Sequence, residues 1–164
     1  MQILRELASN FALVCAGSAW IAAQIVKIFT GVFKMRKFSI VEMLFGNGGM
    51  PSSHAAAVCA LATACALRYG FGSGYFAIAF LLCLIVIRDA TGVRLETGKQ
   101  AKVLNRIVKD LFSPAHRGET GEAGENLKEL VGHTPLQVFV GAALGVTVPF
   151  IMTLIPAYSQ YLSL

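Results

Sequence analysis

With 164 residues, 55% of them hydrophobic and 14% charged, and a mean hydropathy of +0.64, the chain lies outside the soluble class, in which about a quarter of residues are charged. Disordered, collagenous, coiled-coil and disulfide-scaffold proteins are excluded as well, because each needs a compositional bias absent here. The net charge of +5 falls mostly between apolar runs and forms no basic arm, which argues against a nucleic-acid partner and for contact with anionic lipid head groups.

Apolar runs of about 20 residues are the length that crosses a bilayer. The first covers about Asn10 to Phe33. It is too long for a signal-peptide core, its leading segment offers only Arg5 beside Glu6, and it contains Gln24 and Lys27; it reads as a retained transmembrane helix. The second starts at Pro51 and runs to Arg68 and Tyr69, rich in alanine, so that neighbours can approach closely. After the turn Gly70-Phe71-Gly72-Ser73-Gly74, a bulkier third run covers Tyr75 to Ile87 and ends at Arg88-Asp89. Lys99 to Phe112 then alternates apolar pairs with Lys99, Lys102, Arg106 and Lys109, the rhythm of an amphipathic helix suited to a membrane surface or to the protein's own helices. Ser113 to Asn126 is polar and Gly-rich and reads as a mobile solvated loop, with no role assigned to its His116. The last run extends from Pro135 to about Ile155. The expected architecture is an all-α polytopic membrane bundle in one domain, residues 1–164, with about four transmembrane helices and one interfacial amphipathic helix. Cys15, Cys59, Cys65 and Cys83 lie inside apolar stretches without a CxxC pair and read as buried small hydrophobes.

Orientation follows from the basic residues. Arg5 and Arg68 fall on one side, whereas Lys34, Arg36, Lys37, Arg94, Lys99, Lys102, Arg106, Lys109, Arg117 and Lys128 fall on the other. The positive-inside rule places the second side in the cytoplasm and both chain ends outside. The localisation expected is a bacterial-type plasma membrane.

Polar groups at membrane depth are costly, so each is a functional candidate. Lys27 and Lys34 are two helical turns apart and share a face; Lys34 also suits plain snorkelling to the interface. Gly46-Asn47-Gly48-Gly49-Met50-Pro51-Ser52-Ser53-His54 leads directly into a helix. Free backbone N–H groups and a positive dipole end there suit a phosphate. The last run opens similarly with Gly132-His133-Thr134-Pro135, where Thr134 suits a cap and Pro135 the first helical position. Two histidines thus stand at two helix starts on one side, near Lys27, Arg88, Asp89 and Arg94. One can attack phosphorus while the other protonates the leaving oxygen, with cations holding the remaining oxygens. No carboxylate–histidine cluster has metal-ligand spacing, and neither metal nor cofactor is expected.

These residues resemble the divergent branch of the type-2 phosphatidic acid phosphatase and vanadium haloperoxidase superfamily, whose pattern is Lys-x6-Arg-Pro, Pro-Ser-Gly-His and Ser-Arg-x5-His-x3-Asp. Lys27-x6-Lys34 is similar to the first part, Pro51-Ser52-Ser53-His54 to the second, and His133 to the end of the third. Gly48-Gly49-Met50, Asp89-Ala90-Thr91-Gly92-Val93-Arg94 and Leu130-Val131-Gly132-His133-Thr134-Pro135 point to the divergent branch. The resemblance covers about residues 20 to 146. It implies a helical membrane phosphatase acting on lipid phosphates or diphosphates through a phosphohistidine, with His133 as nucleophile and His54 as general acid. Lys27, Lys34 and the amides of Ser52 and Ser53 would bind phosphate. The sequence departs from the pattern at three places: Lys34-Met35 replaces Arg-Pro, Leu127 stands at the arginine of the missing Ser-Arg pair, and Gln137 stands where an aspartate orients the histidine. Asp89 and Arg94 are the candidates to supply the lost charges, Asp89 as catalytic partner and Arg94 as phosphate ligand. Phosphatidic acid, phosphatidylglycerol phosphate and polyprenyl diphosphate all remain open as substrates, and the thin Gly- and Ala-rich helices suit a homo-oligomer. The rivals are a non-catalytic protein that binds or moves a phosphorylated lipid and a purely structural membrane subunit.

Overall fold

Long apolar stretches without charged residues satisfy their backbone groups internally as helices. The computed structural model describes residues 1–32, 50–111, 127 and 133–161, and the secondary structure there is helical. A short exposed helix α1 (Gln2–Ser9) precedes α2 (Phe11–Val32). Then follow α3 (Ser53–Tyr69), α4 (Gly74–Arg88), a π-helical turn (Asp89–Val93), α5 (Arg94–Leu111) and α6 (Pro135–Thr153). A single 3₁₀ turn, Ser159–Tyr161, comes last. The glycine-rich stretch 46–49, Lys34 and the polar loop with His116 lie outside the described residues.

Among the described residues, three helical stretches are long and apolar enough to cross a membrane: Phe11–Thr30, Gly74–Asp110 and Pro135–Thr153. The remaining expected span, α3, has 17 residues, about 25 Å at 1.5 Å per residue. It is the central helix, packed by α2, α4 and α6 at once. Its alanines explain this placement. Ala55, Ala56, Ala60, Ala62, Ala64 and Ala66 are all buried, so three neighbours can close on it with little side chain in the way.

Two glycines bring α6 onto the start of α3. A Cβ at Gly141 would lie 2.3 Å from the Ser52 carbonyl oxygen, and one at Gly145 would lie 2.2 Å from that of Ala56. No residue with a side chain fits at either position. Spaced four apart, the pair forms the small-residue face by which membrane helices approach backbone to backbone.

Helices α4 and α5 run on through the π turn, and α5 packs chiefly against that turn. Its apolar residues Val103, Leu104, Ile107 and Val108 are exposed, so of the two roles read for this amphipathic segment, packing on the protein's own helices is not the one realised among the described residues. At the end of the bundle away from α3's start, the Phe11 ring packs at a tilt against Tyr158 and Tyr161 and the Arg68 guanidinium lies over Tyr161. All four cysteines are buried thiols, with Cys59 and Cys83 in contact across α3 and α4.

Candidate active site

The starts of α3 and α6, the end of α4 and the π turn meet around a cavity of about 230 Å³. His54, Asp89, Arg94 and His133 line it, together with Ile85, Val86 and Ala90. Residues from three separate segments of sequence therefore face one space.

Each is positioned by its helix terminus. Ser52 caps α3, its hydroxyl accepting from the Ala55 N–H at 3.4 Å, and its own N–H donates to the Gln137 carbonyl at 3.0 Å. Ser52 thus ties the two helix starts together, and its amide is already engaged. Ser53, also buried, opens the first turn, where helix N–H groups have no partner within the helix. His54 follows, exposed, in that same turn. On α2, the Thr30 hydroxyl donates to the Met50 carbonyl at 2.7 Å, which anchors the approach to Pro51.

The second start is held more tightly. The His133 N–H donates to the Ala90 carbonyl in the π turn at 3.1 Å, and the residue is buried. π turns inserted in α-helices recur at functional sites; here the turn supplies the acceptor that docks the histidine segment. Thr134 caps α6 in a full capping box: the Gln137 N–H donates to the Thr134 hydroxyl, and the Thr134 N–H donates to Gln137 Oε1 at 2.9 Å. The same Oε1 lies 3.3 Å from His133 Nδ1.

Lys27 points inward from α2 and is 5% exposed. Among the described residues its ammonium makes no hydrogen bond or ion pair. Its charge reaches both histidines, as does that of Arg94. Burial holds the His133 imidazole below its ordinary pKa; Gln137 pulls it upward, while Lys27, His54 and Arg94 push it further down. The net effect favours the neutral imidazole, the form able to act as a nucleophile.

The structure thus brings His54, His133, Asp89 and Arg94 to one cavity, with Lys27, Ser52 and Ser53 beside it. Asp89 is not the partner of the His133 ring. Its carboxylate pairs with the Arg94 guanidinium across the π turn, and Gln137 holds Nδ1. The capping box was readable as Thr134-x-x-Gln137 in the sequence. Its second use, the bond to the histidine ring, was not, because that depends on the side-chain path of a residue outside the helix.

The model of the Divergent PAP2 family matches residues 8–148. The chain belongs to that family. It is also 38% identical over 159 residues to YuiD of Bacillus subtilis (strain 168), described as an uncharacterized membrane protein, covering 93% of this chain and 98% of that one. No solved structure matches the chain. A divergent member of the family, with three membrane-length apolar helices around an alanine-rich central one, is a membrane protein.

Proposed function

We propose that the chain hydrolyses a phosphorylated lipid through a phosphohistidine on His133, at the membrane face that carries the basic segments. The observation that carries the reading is Lys27. A buried ammonium is costly without a counter-charge, and it lies beside a cavity lined by two histidines and an arginine. The carboxylate in the cavity wall, Asp89, is paired with Arg94, and a phosphate monoester or diphosphate supplies a counter-charge for Lys27. The lipid class follows from the setting: Ile85 and Val86 give the cavity an apolar wall on a helix long enough to span the membrane.

In this reading Lys27 and Arg94 hold the non-bridging oxygens and the Ser53 amide at the start of α3 completes the cradle, while the Ser52 amide stays on the Gln137 carbonyl; Lys34 is a further candidate cation from outside the described residues. Asp89 fixes the Arg94 guanidinium. The His133 ring nitrogen attacks phosphorus, the bond to the lipid oxygen breaks, and His54 donates a proton to that oxygen. A water then attacks the phosphohistidine, His54 takes its proton, and inorganic phosphate leaves with His133 restored.

The neutral Gln137 where superfamily members carry an aspartate favours a second reading, in which the same pocket binds a phosphorylated lipid without turning it over. Phosphate release by the purified protein from phosphatidic acid, phosphatidylglycerol phosphate and polyprenyl diphosphate separates the two. Release from at least one, lost in His133→Ala, is expected. Tight binding of all three with no release would establish the second reading. Cysteines placed at Lys102 and Gly118 should be labelled only from the cytoplasm, and the opposite labelling would move the site outside.

A further inference from the structure

We infer that Gln137 is the positioning residue of His133, a neutral amide that locks the imidazole in the tautomer with its proton on Nδ1. The Gln137 side chain occupies the third position of α6 and completes a capping box with Thr134. The Thr134 backbone N–H is a donor and nothing else, so the atom 2.9 Å away must be the amide oxygen. The opposite rotation of the amide would set an NH₂ group against that N–H. The oxygen has a second lone pair, and His133 Nδ1 is 3.3 Å from it. An acceptor there requires Nδ1 to carry the hydrogen. Nε2 is then the ring nitrogen with the free lone pair, on a residue that lines the cavity.

Backbone geometry reinforces the lock. The His133 N–H is held by the Ala90 carbonyl and the Gln137 carbonyl receives the Ser52 N–H, so neither end of the ring-to-amide contact can drift without breaking a helix terminus. The groups that act on the imidazole are Lys27 of α2, His54 of α3 and Arg94 at the start of α5; Asp89 of the π turn also lines the cavity and is neutralised by Arg94. None of them provides a carboxylate to the ring. The sequence departure at Gln137 is therefore a change of mechanism in the orienting group: geometry and tautomer are retained, and the negative charge that would stabilise an imidazolium is removed. The catalytic consequence rests on the phosphohistidine reading above, whereas the tautomer does not.

Nitrogen-15 NMR of the full chain, labelled at histidine and held in detergent micelles above pH 7, tests the tautomer directly. The His133 signals, identified by their loss in His133→Asn, should show Nδ1 protonated and Nε2 unprotonated. A protonated Nε2, or an even mixture, overturns the inference whatever the activity. Gln137→Met, close in size and without a strong acceptor, should release the ring into a mixture and lower kcat by about 10–100-fold with KM little changed, the usual cost of losing an orienting partner. Gln137→Glu keeps the capping box and the contact, so it remains informative should the methionine variant fold poorly. It should keep the tautomer and move the acid limb of the pH–rate profile upward, because a carboxylate favours the protonated ring. An unmoved limb, or wild-type kcat and tautomer in Gln137→Met, refutes the role. Should no lipid phosphate be hydrolysed while the wild-type tautomer is as described, the phosphatase reading falls and the positioning by Gln137 stands.

Discussion

The two histidine-bearing helix starts look alike in sequence and are held differently. His54 lies within the first turn of α3 and is exposed, and its segment is fixed through Ser52. His133 lies before the first turn of α6, is buried, and is tied at its backbone to Ala90 and at its ring to Gln137. A nucleophile must arrive at phosphorus along a defined line, so constraint suits it. A proton donor must meet both a leaving oxygen and later a water, so access suits it. Under the proposed mechanism, the difference in restraint favours His133 as nucleophile and His54 as proton donor.

The largest expected effect breaks this comparison outright. His133→Ala should lower turnover by about 10⁴-fold or more, the scale found when an essential nucleophile is removed. His54→Ala should instead accumulate phosphorylated protein with a lipid whose leaving group is already acidic. The label should be acid-labile and base-stable, as P–N bonds are. Accumulation in His133→Ala would reverse the assignment.

Gly141→Ala should separate the two starts. Its new methyl would meet the Ser52 carbonyl oxygen at 2.3 Å, and forcing such a contact costs about 1–3 kcal/mol. Thermal stability and turnover should fall together, measured by melting in detergent and by phosphate release. A variant of wild-type stability would show that the α3–α6 approach is looser than described.

Lys27→Met should move the two properties in opposite directions. Removing a buried ammonium should raise the melting temperature by a few degrees, because its desolvation cost no longer opposes folding. Competitive inhibition by inorganic phosphate should weaken at the same time. The pH profile supplies the sign. Burial and nearby cations hold His133 below its ordinary pKa, so in the proposed mechanism the acid limb set by His133 should have its midpoint below the ordinary histidine value, and any fall at higher pH should report loss of the proton that His54 donates. With Lys27 neutralised, that limb should shift to higher pH.

Ser52→Ala is the mildest change. It removes the hydroxyl cap of α3 and leaves the bond from its N–H to Gln137, so the loss should be about 1 kcal/mol in stability with a small effect on the rate. A large loss of rate at preserved stability would make the Ser52 hydroxyl a direct phosphate ligand.

Much of the fold was legible in the sequence because the bilayer imposes helices and sets their length. The start at Thr134 was legible because caps are local chemistry, whereas the second run was read as starting at Pro51 and the cap is Ser52. The central position of α3 was less so: hydropathy measures transfer to lipid, and an alanine-rich helix of 17 residues gives the same signal whether lipid or protein surrounds it. Asp89 shows the limit most clearly. Its place at the end of the third apolar run, level with the two helix starts, suited a partner for His133 and a salt bridge to Arg88 or Arg94 equally well, and the π turn sets its carboxylate against Arg94, five residues on.

The sequence by itself determined that this is a helical membrane protein with two histidines at helix starts and cations near them, since composition, caps and motif spacing are properties of short stretches. Only the tertiary structure decided which groups touch. Gly141 and Gly145 let α6 close on α3, Lys27 was left buried beside the cavity, and Gln137 took the His133 ring. Those outcomes depend on distances of a few tenths of an ångström between segments far apart in the chain, and packing alone sets them.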